Sequence, residues 1–274
     1  MILGLEYQHQ ADAGGKVRLM NGEIMAKVEA NFLSSMPNVK VDGALVGIQA
    51  SDDDNRDIRE WLFLSYAMTH MKLWSYDPSI DDARQVFWPE GNVDDVRKAM
   101  DAVDKLLGDG WRNNTTSDVG MIIQSYDRGQ YVVTVDLFGK ADGEFLDGEE
   151  TVLAPGPVLN WVLEQRAVLH ELRLNALLEL GKQELGSMAR ASLGVEMPVG
   201  EKARRYFNQV LEERPTDQRA VRGMMESFFN EGNLEGVEIV YGQLVDNLKK
   251  DRGEIETQTS GYYTAIKMAL SNFG

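Results

Sequence analysis

Between Asn92 and Leu107 apolar side chains fall at Val93, Val96, Met100, Val103 and Leu107, and Asp94, Arg97, Lys98, Asp101 and Lys105 fill the other side. That spacing of three and four predicts an amphipathic helix with one face in a core. Gly108–Asp109–Gly110 stops it. Upstream, Ala83, Val86, Phe87 and Trp88 mark a helix that starts at Ser79 or Asp81 and ends at Pro89. Ser51 to Asp54 can cap an earlier helix over about Arg56 to His70, burying Ile58, Trp61, Leu62, Leu64 and Ser65 to Ala67. Residues 26 to 50 alternate in strand fashion, with Val39, Val41 and Leu45–Val46 flanking the turn signal Asp42–Gly43. After the third helix, residues 119 to 124 and 130 to 136 read as two strands around Ser125 to Gly129, a hairpin with Arg128 at its tip. The first 25 residues have Gly14, Gly15 and Gly22 and no sustained period, which suggests a loose arm or a short extra hairpin.

From about Ala141 the pattern changes to helices joined by short turns. Val158 to Leu185 forms a long candidate, with Leu159, Val162, Leu163, Val168, Leu169, Leu172 and Leu177 on the buried side. Farther on, Ala203, Phe207, Val210 and Leu211 recur 34 positions later as Val237, Tyr241, Leu244 and Val245, and Pro215 and Gly232 punctuate the turns. This is the period of tetratricopeptide units, in which each helix pair buries its face by stacking on the next. The expected fold is mainly α with a small β component. It has an arm over residues 1–26, an α+β winged helix-turn-helix domain over 27–140 and an all-α tetratricopeptide-like helical-repeat domain over 141–274.

Composition changes the picture chiefly through charge. The chain of 274 residues is long enough for two ordinary domains, and its 43% apolar content suffices for real cores. Its net charge of −16 divides evenly, with 14 Lys/Arg against 22 Asp/Glu in residues 1–140 and the same again in 141–274. Non-specific adhesion to nucleic acid or an anionic membrane is disfavoured by that excess. The third helix is itself acidic, since Asp94, Asp95, Asp101 and Asp104 face only Arg97, Lys98 and Lys105. Contact with phosphates needs a positive surplus, so the fold signal and the charge signal pull apart. There is no run of 18 apolar residues, and Glu6, His9, Asp12, Lys16 and Arg18 interrupt the first twenty, which gives a cytoplasmic expectation with no membrane partner. Zero cysteines exclude disulfides, thiolate zinc sites, iron–sulfur clusters and a thiol nucleophile.

Particular residues carry a resemblance to a family. Val39–Lys40–Val41–Asp42–Gly43, Phe87–Trp88–Pro89–Glu90–Gly91, Leu106–Leu107–Gly108–Asp109 and Gly129–Gln130–Tyr131 resemble the OmpR-type winged helix of the Streptomyces antibiotic regulatory protein (SARP) family. Gly143–Glu144–Phe145–Leu146–Asp147–Gly148, then Trp161 with Glu164–Gln165–Arg166, and the helical repeats as far as Tyr263 resemble its bacterial transcriptional activator domain. The resemblance spans about residues 27 to 268 and implies a transcription regulator that binds promoter DNA through the third helix and wing. On that basis Arg97, Lys98 and Lys105 face the groove, and Arg112 and Arg128 reach phosphates. The implied partners are DNA, a protein such as RNA polymerase or a regulatory protein, and a second copy in a homodimer. The chain departs from the pattern in its acidity, most visibly at Asp52, Asp53, Asp54 and Asp57 where the first helix begins.

Enzyme chemistry finds little footing. His9, His70 and His170 are the only histidines, no HExxH occurs, and Gly14–Gly15–Lys16 lacks the spacing and setting of a phosphate loop. No enzymatic activity, cofactor or metal is expected. Two readings remain: a DNA-binding regulator with a helical effector domain, or a protein-interaction module that keeps the scaffold without DNA contact.

Overall fold

Alternation around Asp42 becomes a sheet for a local reason. Asp42 adopts φ 51, a left-handed conformation that Asp tolerates, and locks it by exchanging two bonds with Lys27: its N–H donates to Lys27 O at 2.8 Å and its Oδ1 accepts from Lys27 N at 2.9 Å. In the computed structural model, residues 17–18, 24–25, 27–33, 38–42, 44–45, 63, 65–66, 80–107, 111, 115–141, 143–146, 156–191 and 199–271 are described. β1 (Val17–Arg18) and β2 (Ile24–Met25) form a short antiparallel ladder. β3 (Val28–Asn31), β4 (Asn38–Val41), β5 (Ala44–Leu45) and β6 (Thr115–Ser117) form one sheet in the order β5-β4-β3-β6. Its ladders are antiparallel except β3 with β6, which is parallel with Val28 opposite Thr115. Val28, Ala30 and Val39 are buried on it.

α1 (Ile80–Phe87) and α2 (Val93–Leu107) form the helix-turn-helix. The chain turns at Trp88 to Asn92, where Gly91 is required by close approach: a Cβ there would meet Trp88 Cβ at 2.7 Å and Asp95 Oδ2 at 2.9 Å. Of the expected first helix, Phe63, Ser65 and Tyr66 are helical and buried, and its other expected positions lie outside the described residues. Phe63, Phe87 and Trp88 pack edge-on and tilted, Tyr66 lies edge-on to Phe87 and stacked on Phe63, with centroids 5.0–6.2 Å apart, and Trp161 joins them 5.2 Å from Tyr66. Such offset aromatic arrangements add to the area they bury.

The segment Glu144–Phe145–Leu146 closes the same core. Phe145 bridges Leu33, packs edge-on against Phe32 and Trp161, and Leu146 N donates to Phe32 O at 2.8 Å. Arg166 holds the segment from the far side, donating to Phe145 O at 2.9 Å and Leu146 O at 3.1 Å while pairing with Glu144 at 3.0 Å. The motif residues that carried the family resemblance therefore act as a latch in the core.

The hairpin expected over 119–136 is not a hairpin. These residues form α3 (Asp118–Asp127) and α4 (Tyr131–Lys140). Runs such as Val-Gly-Met-Ile-Ile and Tyr-Val-Val-Thr-Val are rich in β-branched residues, so they look strand-like locally. The boundaries decide otherwise. Ser117 Oγ accepts from Gly120 N at 2.9 Å as an N-cap, and Gly129, at φ 69, ends α3 with Gln130 N bonded to Ser125 O and Gly129 N to Tyr126 O. That is the bond pair of a glycine-terminated helix, so Gly129 stops a helix here instead of turning a hairpin. The paired helices face each other through buried Ser125 and Thr134, whose hydroxyls lie 2.8 Å apart. β6 is the one strand described between α2 and α3.

Asp118 ties this helical pair to the sheet. Its carboxylate accepts from Phe32 N at 3.0 Å and Leu33 N at 2.7 Å, just past the end of β3. Burial pushes the Asp118 carboxyl above its ordinary range, against the backbone bonds that favour its charge.

The chain divides into two compact units, Met1–Leu169 and His170–Gly274. α5 (Gly156–Ala191) runs across the boundary. Val158, Trp161, Val162 and Leu169 are buried along its first part, whereas Leu163 and Val168, expected inside, are exposed because the buried stripe passes on the other side of the helix.

In the second unit, α6 (Val199–Glu213), α7 (Gln218–Asn230), α8 (Leu234–Asp251) and α9 (Thr257–Ser271) stack as antiparallel pairs. The 34-residue register holds in burial as well as in sequence: Ala203 and Val237 are buried, as are Val210 and Leu244, and Leu211 and Val245 are both half-buried. Phe207 is the centre. A Cβ on Gly181 or Gly223 would fall 2.5 or 2.3 Å from its ring, so two glycines on neighbouring helices make room for it. Tyr241 occupies the repeat-equivalent position but is half-buried, stacked on Tyr263 at 3.9 Å and 2°.

Candidate nucleic-acid interface

α2 is set by a reciprocal cap. Asn92 Oδ1 accepts from Asp94 N at 2.8 Å and Asp95 N at 3.2 Å, while Asp95 Oδ2 accepts from Asn92 N at 2.9 Å. Its other end is held through Trp111, which is buried and donates from Nε1 to Asp104 Oδ1 at 2.8 Å. Thr115 Oγ in turn donates to Trp111 O at 2.6 Å, which links the helix to β6. Val96, Val103 and Leu107 fix the inner face.

These bonds sort the four aspartates of α2. Asp95 and Asp104 are half-buried and engaged with backbone or indole donors, whereas Asp94 and Asp101 are exposed. The outward side thus presents Arg97, Lys98 and Lys105 against two carboxylates, a local surplus of one positive charge where the helix as a whole has a deficit. Arg97 pairs with Asp94 at 3.0 Å, both well exposed, an interaction worth little and readily exchanged for a phosphate. Lys98 and Lys105 make no ion pair with any described residue.

The remaining expected contacts fare differently. Arg112 lies outside the described residues. Arg128 is exposed at the end of α3, in the turn to α4, and not on a wing tip. Sequence reasoning passed over Asn92, Trp111 and Asp118. The signals were present: an Asn three residues before Asp95 on an amphipathic run is a capping box, and a lone Trp after Gly-Asp-Gly marks a buried anchor.

The other dense group of charges lies in the second unit. Glu213 pairs with His170 at 2.7 Å and with Arg173, and Glu171 pairs with Arg214 and, at 3.5 Å, with Arg219. Asp217 caps α7 by accepting from Arg219 N and Ala220 N and pairs with the Arg219 side chain at 2.7 Å. Although burial pushes its carboxyl up, the bonds from Arg219 and the backbone bring it below the ordinary range. Three arginines meet three carboxylates here, and His170 is hydrogen-bonded to one of them, so the arginine and carboxylate charges balance within the group. Among the described residues, no group of three His, Asp or Glu could hold a metal ion, and no helix is long and apolar enough to cross a membrane.

A helix-turn-helix beside a small sheet, followed by helical repeats, is the architecture these elements define, and it is consistent with a winged-helix layout whose wing hairpin is replaced by α3 and α4. No family model matches the chain, and no curated protein matches it. Among solved structures it is similar to Mycobacterium tuberculosis EmbR, determined in complex with a low affinity phosphopeptide, with a TM-score of 0.56 and 11% sequence identity. The likeness covers 89% of this chain and 66% of the EmbR chain, and it shows a shared fold.

Proposed function

We propose that this chain is a transcription regulator of the antibiotic-regulatory-protein type, engaging promoter DNA through the exposed face of α2. The helical repeats serve protein contacts, with RNA polymerase, a regulatory protein or a second copy as the partner. The likeness to EmbR supports a regulator of this kind. The observation that carries DNA contact is the sorting of charge on α2: Asp95 and Asp104 are drawn into the cap and the Trp111 bond, and Arg97, Lys98 and Lys105 are left outward. Phosphate contacts position a helix in the groove, and three cations suffice for a modest set of them.

Reversing Arg97 and Lys98 to Glu tests the reading. Binding to genomic fragments should be abolished while the circular dichroism spectrum and urea midpoint stay unchanged, because both side chains are exposed. A second reading, an interaction module without DNA contact, is favoured by the charge of residues 1–169, which hold 15 Lys/Arg against 28 Asp/Glu. If the wild type shows no binding near micromolar at low salt, the module reading replaces the regulator.

A further inference from the structure

Opposite the buried Val96 and Val103, the middle of the exposed side of α2 carries Lys98, Asp101, Ala102 and Lys105. Asp101 differs from the other aspartates of this helix. Asp94 is paired with Arg97, Asp95 closes the cap and Asp104 holds Trp111, but Asp101 makes no bond to any described residue. It sits one turn from Lys98 on one side and from Lys105 on the other and bridges to neither.

A carboxylate at the centre of a DNA-facing surface is repelled by phosphate, and the donors that DNA offers it lie on base edges at the groove floor. In the major groove, cytosine offers its N4 amine with no acceptor beside it, whereas adenine sets N7, an acceptor, next to its N6 amine. A carboxylate therefore suits cytosine. The guanine of the same pair presents O6 and N7, which suit an ammonium. Helical spacing of three and four places the two chemistries side by side.

We infer that Asp101 is a specificity-determining residue that accepts from the N4 amine of a cytosine, with Lys98 donating to the guanine of that pair. This rests on the DNA-binding reading above. The test selects duplexes from a randomised pool with the full chain at low salt, for the wild type, Asp101→Ala and Asp101→Asn. The wild type should enrich one G·C pair in fixed orientation. Asp101→Ala should relax that preference by about tenfold, and Asp101→Asn should shift it toward A·T, because an amide pairs with adenine N6 and N7. Uniformly tighter binding of Asp101→Ala to every sequence, with the preference unchanged, would overturn the inference by showing that Asp101 is only a repelling charge. In that case DNA binding itself would stand. Absence of wild-type binding to any duplex would remove both readings.

Discussion

The two compact units contrast most in charge. Residues 1–169 carry 15 Lys/Arg against 28 Asp/Glu, a net −13, while residues 170–274 carry 13 against 16, a net −3. The unit that holds the helix-turn-helix is the more acidic one, so whole-domain charge and the local charge of α2 point in opposite directions. Long-range repulsion slows approach to DNA, but contact is decided within a Debye length, about 8 Å at physiological salt. In the second unit, by contrast, charges are consumed in pairs between helices, as at Glu213 with His170 and Arg173, and their role is to order the stack. Charge in one unit is sorted toward a surface; in the other it is cancelled.

The contrast extends to how each unit is held, and the strongest test lies in the repeats. Phe207→Ala should cost about 3–5 kcal/mol in urea unfolding, because the ring fills a site made by two glycines. Tyr241→Ala, at the equivalent but half-buried position, should cost less, about 1–2 kcal/mol. Equal losses would break the assignment of Phe207 as the inner position of the stack.

In the first unit the corresponding test is Asp118→Ala, which leaves the amides of Phe32 and Leu33 without their acceptor and should cost about 1–3 kcal/mol. A neutral result would mean that the tie between β3 and α3 contributes nothing.

Acid separates the units further. Asp118 has a raised folded value, so its charged form is the disfavoured one: its contribution is greatest at low pH and falls as pH rises from the unfolded value of about 3.9 through the folded value. Asp217 has a lowered folded value, so its contribution is present above the unfolded value and is lost as pH falls through the folded one. Lowering the pH from 5 to about 3 should therefore narrow the stability gap between wild type and Asp217→Asn and widen that between wild type and Asp118→Ala. Urea midpoints of the four pairs check the two signs.

The smallest effect concerns the caps. Asn92→Ala and Ser117→Ala should each cost about 1 kcal/mol, read from the same unfolding curves.

Much of this was legible in the sequence where periodicity spoke alone. The three-and-four spacing from Val93 to Leu107 becomes α2 within one residue, and the 34-residue recurrence becomes a recurrence of burial. The misreading of residues 119–136 arose where two local signals competed. Val132, Val133 and Val135 favour a strand, and Asp127–Arg128–Gly129 resembles a hairpin turn, yet Ser117 and Gly129 act as the start and stop of a helix. The pairing of Ser125 with Thr134 across nine residues, which settles the matter, is a tertiary contact that no single-segment pattern contains. The candidate interface was legible in identity but not in sorting: Arg97, Lys98 and Lys105 are readable on an exposed face, whereas the diversion of Asp95 and Asp104 depends on Asn92 and Trp111 being in place.

The central claim is that α2 presents cations to DNA from an acidic domain, and the salt dependence of binding measures it most directly. With genomic fragments titrated at two salt concentrations, the logarithm of affinity should fall with the logarithm of salt at a shallow slope, corresponding to about two or three phosphate contacts. Lys105→Gln should reduce that slope by roughly one contact. A wild-type affinity that does not change with salt, or a slope untouched by Lys105→Gln and by reversal of Arg97 and Lys98, would contradict the account.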